Sequence, residues 1–173
     1  MSAGRVEPEL TVAVDAPPAE VYALLADLER APEWMGDRIA SVRREGGAYR
    51  YVTVSGLSGT WRWAEREPPS RLRWTGSVVT YGPLAAFSLG ASFAIAPGED
   101  GGSLVRARLE LHAGRGLWLV TPLLAREAQP IWSGQLARLK ALAEASARHH
   151  AVQPPEVGHA LQGVLAAVVE LDP

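Results

Sequence analysis

Three groups of side chains in this sequence carry chemistry, and their spacing indicates where each one points. From Thr60 to Glu67 the residues alternate, with Trp61 and Trp63 on one face and Arg62 and Ala64 on the other. Such alternation marks a half-buried β-strand. Carried two steps further, it brings Glu65 and Glu67 onto the tryptophan face. A carboxyl desolvated among aromatic rings has its pKa raised, and a second carboxyl close by raises one of the two further. A group poised that way serves as general acid or base for enolisation or loss of water. The alternative is that the strand ends at Pro68 and leaves both glutamates in solvent or paired with Arg62, Arg66 or Arg71.

Arg38 is the second group. It follows a short helical segment and is expected at the mouth of whatever cavity the chain encloses, where a fixed guanidinium binds an enolate or carboxylate oxygen. A surface ion pair with Asp37 or Glu33 is the competing account. Gln135 is the third. It lies close to the inward stripe of a long helix, where its amide either meets a ligand carbonyl or only reaches backbone.

Those groups need elements to hold them. In PIWSGQLARLKALAEASARHH, Pro130 to His150, the apolar residues Trp132, Leu136, Leu139 and Ala143 recur at steps of four and three. That is one face of an α-helix. Ser133, Ala137, Lys140, Glu144 and Arg148 form the opposite face, expected in solvent. Such a stripe must be buried, and the sheet formed by the preceding chain is the natural partner. Thr121-Pro122 starts the helix, and Pro130 is expected to kink or restart it.

Before that helix the pattern has period two. A first strand covers about Glu9 to Val14. Asp15, Pro17 and Pro18 then open a helix carrying Val21, Leu24, Leu25 and Leu28, and a shorter turn follows over Glu29 to Trp34. From Arg38 onward, strands alternate with turns at Gly46-Gly47, Gly56 to Gly59, Pro68 to Ser70, Gly82-Pro83 and Pro97 to Gly102. The sum is about seven strands in an antiparallel meander. The fold class is therefore α+β: a curved antiparallel sheet around a long C-terminal helix, with two short helices after the first strand.

Strand parity places Tyr49, Tyr51, Trp61, Trp63, Trp74, Phe87 and Phe93 on a common face, interleaved with Gly76, Ala91 and Ala107. Large rings beside missing side chains leave a hollow, and a largely apolar concavity is what small-molecule sites look like. The other reading is that the rings fill the core. Trp34, Met35 and Trp118 are expected to line the mouth. Met35 is adaptable enough to suit a variable ligand, although core packing is its commoner role.

Length and composition exclude several classes. At 173 residues the chain makes one domain with a real core. A net charge of −2 gives no electrostatic footprint for nucleic acid or an anionic membrane. With no cysteine there are no disulfides, thiolate nucleophiles or cysteine metal sites. The N-terminus lacks a signal-peptide core, and VLAAVVEL near the C-terminus is too short to span a bilayer, so a cytoplasmic location is the default. Gly114-Arg115-Gly116 lacks the third glycine of a dinucleotide loop, and no Gly-x-Ser-x-Gly elbow occurs. His149 and His150 are adjacent and cannot present a one-face metal pair, and His112 is expected in solvent, so no metal site or cofactor is expected. After His150, Pro154-Pro155 reads as a linker. Val157 to Val168 then suggests a short amphipathic segment, giving a domain over 5–149 and a tail over 150–173.

The order of strand, two helices, six strands and long helix resembles the START or SRPBCC (helix-grip, birch-pollen-allergen-like) superfamily. The residues that carry the likeness are VDAPPAEVYALLADLERAPEW, Val14 to Trp34, and the late helix with QLARLKALAE. TWRWAERE and VVTYGPLAAFSLG look most similar to its polyketide cyclase/dehydrase branch, which includes bacterial aromatase/cyclases. The resemblance implies a deep cavity under the last helix for an apolar or polycyclic molecule, and aldol ring closure or dehydration without metal or nucleotide. Measured against the aromatase pattern, a cavity arginine corresponds to Glu67, with Arg66 beside it pointing to the opposite face. A tyrosine corresponds to Arg38, and a second arginine to Val78. The helical amide is retained as Gln135.

The expected activity is binding of a hydrophobic, aromatic or polyketide-like molecule, with Glu65, Glu67 and Arg38 available for cyclisation or dehydration. The alternatives are a non-catalytic carrier of a lipid, quinone or pigment intermediate, and an interaction module with a collapsed cavity. The expected partner is a hydrophobic small molecule rather than nucleic acid or an integral membrane. The chain itself is expected as a monomer or homodimer.

Overall fold

In the computed structural model, residues 5–79, 86–113 and 121–152 are described. The chain begins with two short strands, β1 (Arg5–Val6) and β2 (Glu9–Val14), which both pair with the last strand. Helix α1 (Pro18–Ala26) starts on Pro18, where a missing N–H costs nothing. It buries Val21, Leu24 and Leu25, and Leu28 beyond its end is buried as well. Helix α2 (Ala31–Met35) is a single turn. Strands β3 (Ile39–Glu45), β4 (Ala48–Thr53), β5 (Ser58–Glu67), β6 (Arg71–Val79), β7 (Ala86–Pro97) and β8 (Ser103–Ala113) follow. All pairings are antiparallel, and β3 to β8 lie in chain order across one sheet, with β1 and β2 beside β8. Helix α3 (Thr121–Val152) lies over its inner face. This is the helix-grip architecture that the pattern of strands and helices predicts.

The helical stripe is buried as its spacing requires: Trp132, Leu136, Leu139 and Ala143 are each at most 3% exposed. Two residues of the supposed solvent face behave differently. Lys140 Nζ donates to the Ala13 carbonyl at 2.6 Å, and the Asp15 amide donates to Glu144 Oε1 at 2.9 Å. The two side chains also pair with each other at 2.9 Å. They flank the apolar stripe closely enough to reach the end of β2, so they fasten helix to sheet. Glu144 is held below its ordinary pKa by the Asp15 amide first and by Lys140 second.

Pro130 does not end α3, which runs through it. Pro130 and Arg126, whose carbonyl loses its intrahelical partner, are both exposed, so water can take that bond.

The sheet departs from simple alternation between Ile39 and Ser41 of β3 and again in β5, where the shift decides the fate of the glutamates. Trp63 pairs with Trp74, but Glu65 pairs with Arg73, so β5 advances two residues while β6 advances one. The extra residue is a β-bulge, and it reverses the parity of everything after it. Glu65 therefore shares the outer face with Arg73, whose guanidinium meets Glu110 at 2.8 Å. Arg66 pairs with buried Leu72 instead of pointing away, and its guanidinium lies 5.3 Å from the centre of the Trp63 ring.

Candidate functional site

A cavity of about 590 Å³ opens between the first half of α3 and one end of the sheet. Its floor is a row of rings from adjacent strands. Tyr51 and Trp61 stack at 4.4 Å between centroids, and Trp61 and Trp74 sit at 4.8 Å. Gly76 permits this row: a Cβ there would collide with the Thr60 carbonyl oxygen and lie 2.7 Å from the Trp61 ring. Leu89, Leu109 and Leu111 extend the floor across β7 and β8. Ala128, Ile131, Trp132 and Gln135 of α3 form the roof, and Met35 and Ile39 close one side.

The mouth is polar and tightly organised. Arg38 and Glu127 lie on it, both exposed, along with Thr53, Val54, Ser55 and Leu57 of the β4–β5 turn. Thr53 braces that turn. Its N–H and hydroxyl both donate to the Leu57 carbonyl, at 2.7 and 3.2 Å, and its Oγ1 accepts from the Leu57 N–H at 2.9 Å. The Val54 N–H then holds the Arg38 carbonyl at 3.1 Å. From the other side, Gln135 Nε2 donates to the Met35 carbonyl at a long 3.4 Å. Gly36 takes a left-handed φ of 66° directly under the Arg138 guanidinium, which occupies the place a Cβ would need. The segment leading to Arg38 is thus gripped by both the helix and the turn.

Burial raises the Tyr51 hydroxyl pKa to about 12, so it remains a neutral donor at physiological pH. The Tyr51 hydroxyl, Trp61 Nε1 and Trp132 Nε1 are buried and have no hydrogen-bond partner among the described residues. Tyr22, Trp34 and Trp63 carry buried polar atoms in the same state away from the cavity, so these groups belong to the aromatic core as a whole.

Of the residues singled out from sequence, Met35, Arg38, Tyr51, Trp61, Trp74, Trp132 and Gln135 line the cavity. Trp34, Ala91, Phe93 and Ala107 do not; they are buried in solid core, with Trp34 edge-on to Phe93 at 6.2 Å. Tyr49 and Trp63 pack edge-on at 6.5 Å beside that core, away from the lining. Glu65 and Glu67 are not among the lining residues: Glu65 is turned out by the bulge and Glu67 is exposed near the strand end. The backbone pairs Val78 with Phe87, but the side chains of both, and the whole of Trp118, lie outside the described residues. The Gly82-Pro83 turn, the Gly114 and Gly116 positions and the tail beyond Val152 lie outside them too.

Leu89, Leu109, Leu111, Ile131 and the 53–57 turn were not foreseen as lining. Their parity was readable, but which end of each strand lies under open space depends on how the helix is set over the sheet. Away from the cavity, Glu7, Glu110 and His112 bring ligand-type atoms within 4.8 Å of one another. Within it, Glu110 is paired with Arg73 at 2.8 Å. No helix among the described residues is long and apolar enough to cross a membrane.

No match was found among curated protein sequences. Solved structures similar to this chain include a conserved protein from Geobacillus kaustophilus, with TM-score 0.69 and 11% identity, covering 82% of this chain and 97% of that one. Truncated norcoclaurine synthase from Thalictrum flavum aligns with TM-score 0.61 and 12% identity, over 82% of this chain and 95% of its own. A protein from Chromobacterium violaceum aligns with TM-score 0.60 and 21% identity, over 80% and 96%. At these identities the likeness is one of fold. Sequence goes further, because the pattern of one family, described as polyketide cyclase/dehydrase and lipid transport, matches residues 5–144, and the chain belongs to that family.

Proposed function

We propose that this protein binds a hydrophobic, aromatic or polyketide-like small molecule in the cavity beneath α3. The observation that carries the reading is the cavity itself: about 590 Å³, floored by the Tyr51, Trp61 and Trp74 rings and roofed by Trp132. That volume falls in the usual range for small-molecule sites, roughly 300–1,000 Å³. The rings are at most 1% exposed, so the surface open to a guest is largely aliphatic, from half-buried Leu57, Leu89, Leu109 and Ile131, which suits a hydrophobic body.

Between carrier and catalyst, the placement of charge favours the carrier. General acid-base work on a bound guest needs a carboxyl or equivalent within reach of it. Among the described lining residues the one carboxylate is Glu127, at the exposed mouth, while Glu65 and Glu67 lie elsewhere. Cyclisation or dehydration assisted by Glu65, Glu67 and Arg38 is the second reading, and the retained scaffold of the cyclase family is what favours it.

Native mass spectrometry of protein purified from its own host, before and after denaturation, tests binding. A retained small molecule that disappears in an Ala128→Trp variant, in which the roof is filled, is the expected result. A wild-type protein that retains nothing and quenches no tryptophan fluorescence with any polycyclic or acyl probe would overturn the reading. Glu65→Gln and Glu67→Gln should leave both affinity and any turnover unchanged. Lost turnover at unchanged affinity would restore the catalytic account.

A further inference from the structure

We infer that the cavity selects a guest bearing a carboxylate, with Arg38 holding that carboxylate at the mouth while the apolar body lies under α3. The inference rests on the binding function proposed above and adds the chemistry of one end of the guest. Arg38 is the one cationic side chain among the described lining residues. Its guanidinium has no ion pair or hydrogen bond to any described side chain, and Glu33, one of the two partners expected for it, is taken by Arg30; the side chain of the other, Asp37, lies outside the described residues.

Its position is also built. The Val54 N–H holds the Arg38 carbonyl, Gln135 reaches the carbonyl of Met35, and the left-handed turn at Gly36 is fixed beneath Arg138. These contacts fix the backbone at Arg38 and leave its exposed side chain free to swing over the mouth. A planar guanidinium is matched to a carboxylate and binds it through charge-assisted hydrogen bonds.

Glu127 sharpens the inference. It lies on the same mouth, so the two charges cancel at a distance and no broad positive field draws anions in. Recognition then depends on direct contact with Arg38, and a guest carrying a single negative charge is favoured over one carrying two. The body of such a guest can be an acyl chain or an aromatic system, and the experiment below separates them.

The test uses two probe pairs at pH 8: dodecanoate with its methyl ester, and anthracene-2-carboxylate with its methyl ester. Binding is read from tryptophan fluorescence or calorimetry. An apolar pocket without a cation ranks each ester above its acid, because the ester costs less to desolvate. Wild type is expected to reverse that order by about five- to tenfold, in keeping with a charge-assisted hydrogen bond at a half-open site. Arg38→Gln should restore the ester-first order, weakening the acids at least fivefold more than the esters. Glu127→Gln should tighten the acids about twofold and leave the esters alone, by removing a like charge.

The probe pair that binds identifies the body of the guest. Wild type that binds esters as well as or better than acids overturns the inference, as does an acid preference that survives Arg38→Gln or an equal loss of acid and ester in that variant. In those three cases the cavity still binds, and the proposed function stands. If wild type binds neither acid nor ester of either pair, the proposed function fails together with the inference.

Discussion

The two ends of this sheet use the same kinds of residue to opposite effect. Toward the start of β8 and the end of β7, Leu72, Phe93, Ile95, Val105 and Ala107 join Trp34, Leu136, Leu139 and Ala143 in one buried cluster. Toward the other end, Tyr51, Trp61, Trp74, Leu89, Leu109 and Leu111 face Trp132 across about 590 Å³. Composition does not separate the halves, since each has rings, leucines and small residues. What separates them is that most of α2 and the tethered part of α3 close over one end, while among the described residues the other end is roofed by the first half of α3, with Met35 at its side. The fastening of α3 at Lys140 and Glu144 lies within the packed end, beside Leu139 and Ala143, and the cavity is roofed by the preceding turns of the helix, Ala128 to Gln135.

The sharpest way to break this contrast is truncation in each half. Leu139→Ala, at a fully buried position, should cost about 2–5 kcal/mol in chemical denaturation, the usual cost of a new cavity in a filled core. Leu109→Ala, at a partly buried position bordering a cavity already present, should cost under about 1.5 kcal/mol. Equal losses would mean that the two halves are packed alike.

Ser103 is next in size. Its buried hydroxyl donates to the Ala16 carbonyl at 2.6 Å, joining the start of β8 to the approach to α1. Ser103→Ala leaves that carbonyl without its partner and should lower stability by about 1–2 kcal/mol in the same measurement.

Glu144→Gln tests the anchor itself, with an expected loss of up to about 1 kcal/mol at pH 7. Because the folded-state pKa of Glu144 lies below its ordinary value of 4.5, its stabilisation is complete above that value. It disappears as pH falls through the lowered pKa. Wild-type and variant denaturation midpoints should therefore converge in acid, and a constant gap down to pH 2 would show that the carboxylate charge is not what matters.

The smallest effect belongs to the hollow half. Tyr51→Phe removes a hydroxyl with no described partner, so stability at pH 7 should be unchanged or slightly higher. In alkali the signs differ. The unfolded chain ionises Tyr51 near 10.0 but the folded chain only near about 12, so wild type should lose stability as pH rises through that interval and the variant should lose less. Spectrophotometric titration of tyrosinate in both proteins checks it directly.

Much of the architecture was legible in the sequence because periodicity is local. The steps of four and three in Trp132, Leu136, Leu139 and Ala143 dictate a buried stripe whatever lies beneath it. Alternation in β5 likewise specifies Trp61 inward. The same reasoning misassigned Glu65 and Arg66, because a bulge is a property of two strands in register and one strand's pattern does not reveal it. The bonds that Lys140 and Glu144 make to the end of β2 were unforeseen for a related reason: which polar residues of a helix reach the sheet is known only once the helix is placed on it.

By itself, then, the sequence determined which residues form each element, the inner parity of the strands as far as the bulge, and the need for a sheet to receive the last helix. These follow from period, turn chemistry and proline placement, which act over a few residues. Only the tertiary structure decided which rings pack solid and which border open space, and that Arg38 is held at the mouth while the glutamates of β5 are not. Those outcomes depend on register between strands and on how a helix lies across them, and both are set by contacts between residues far apart in the chain.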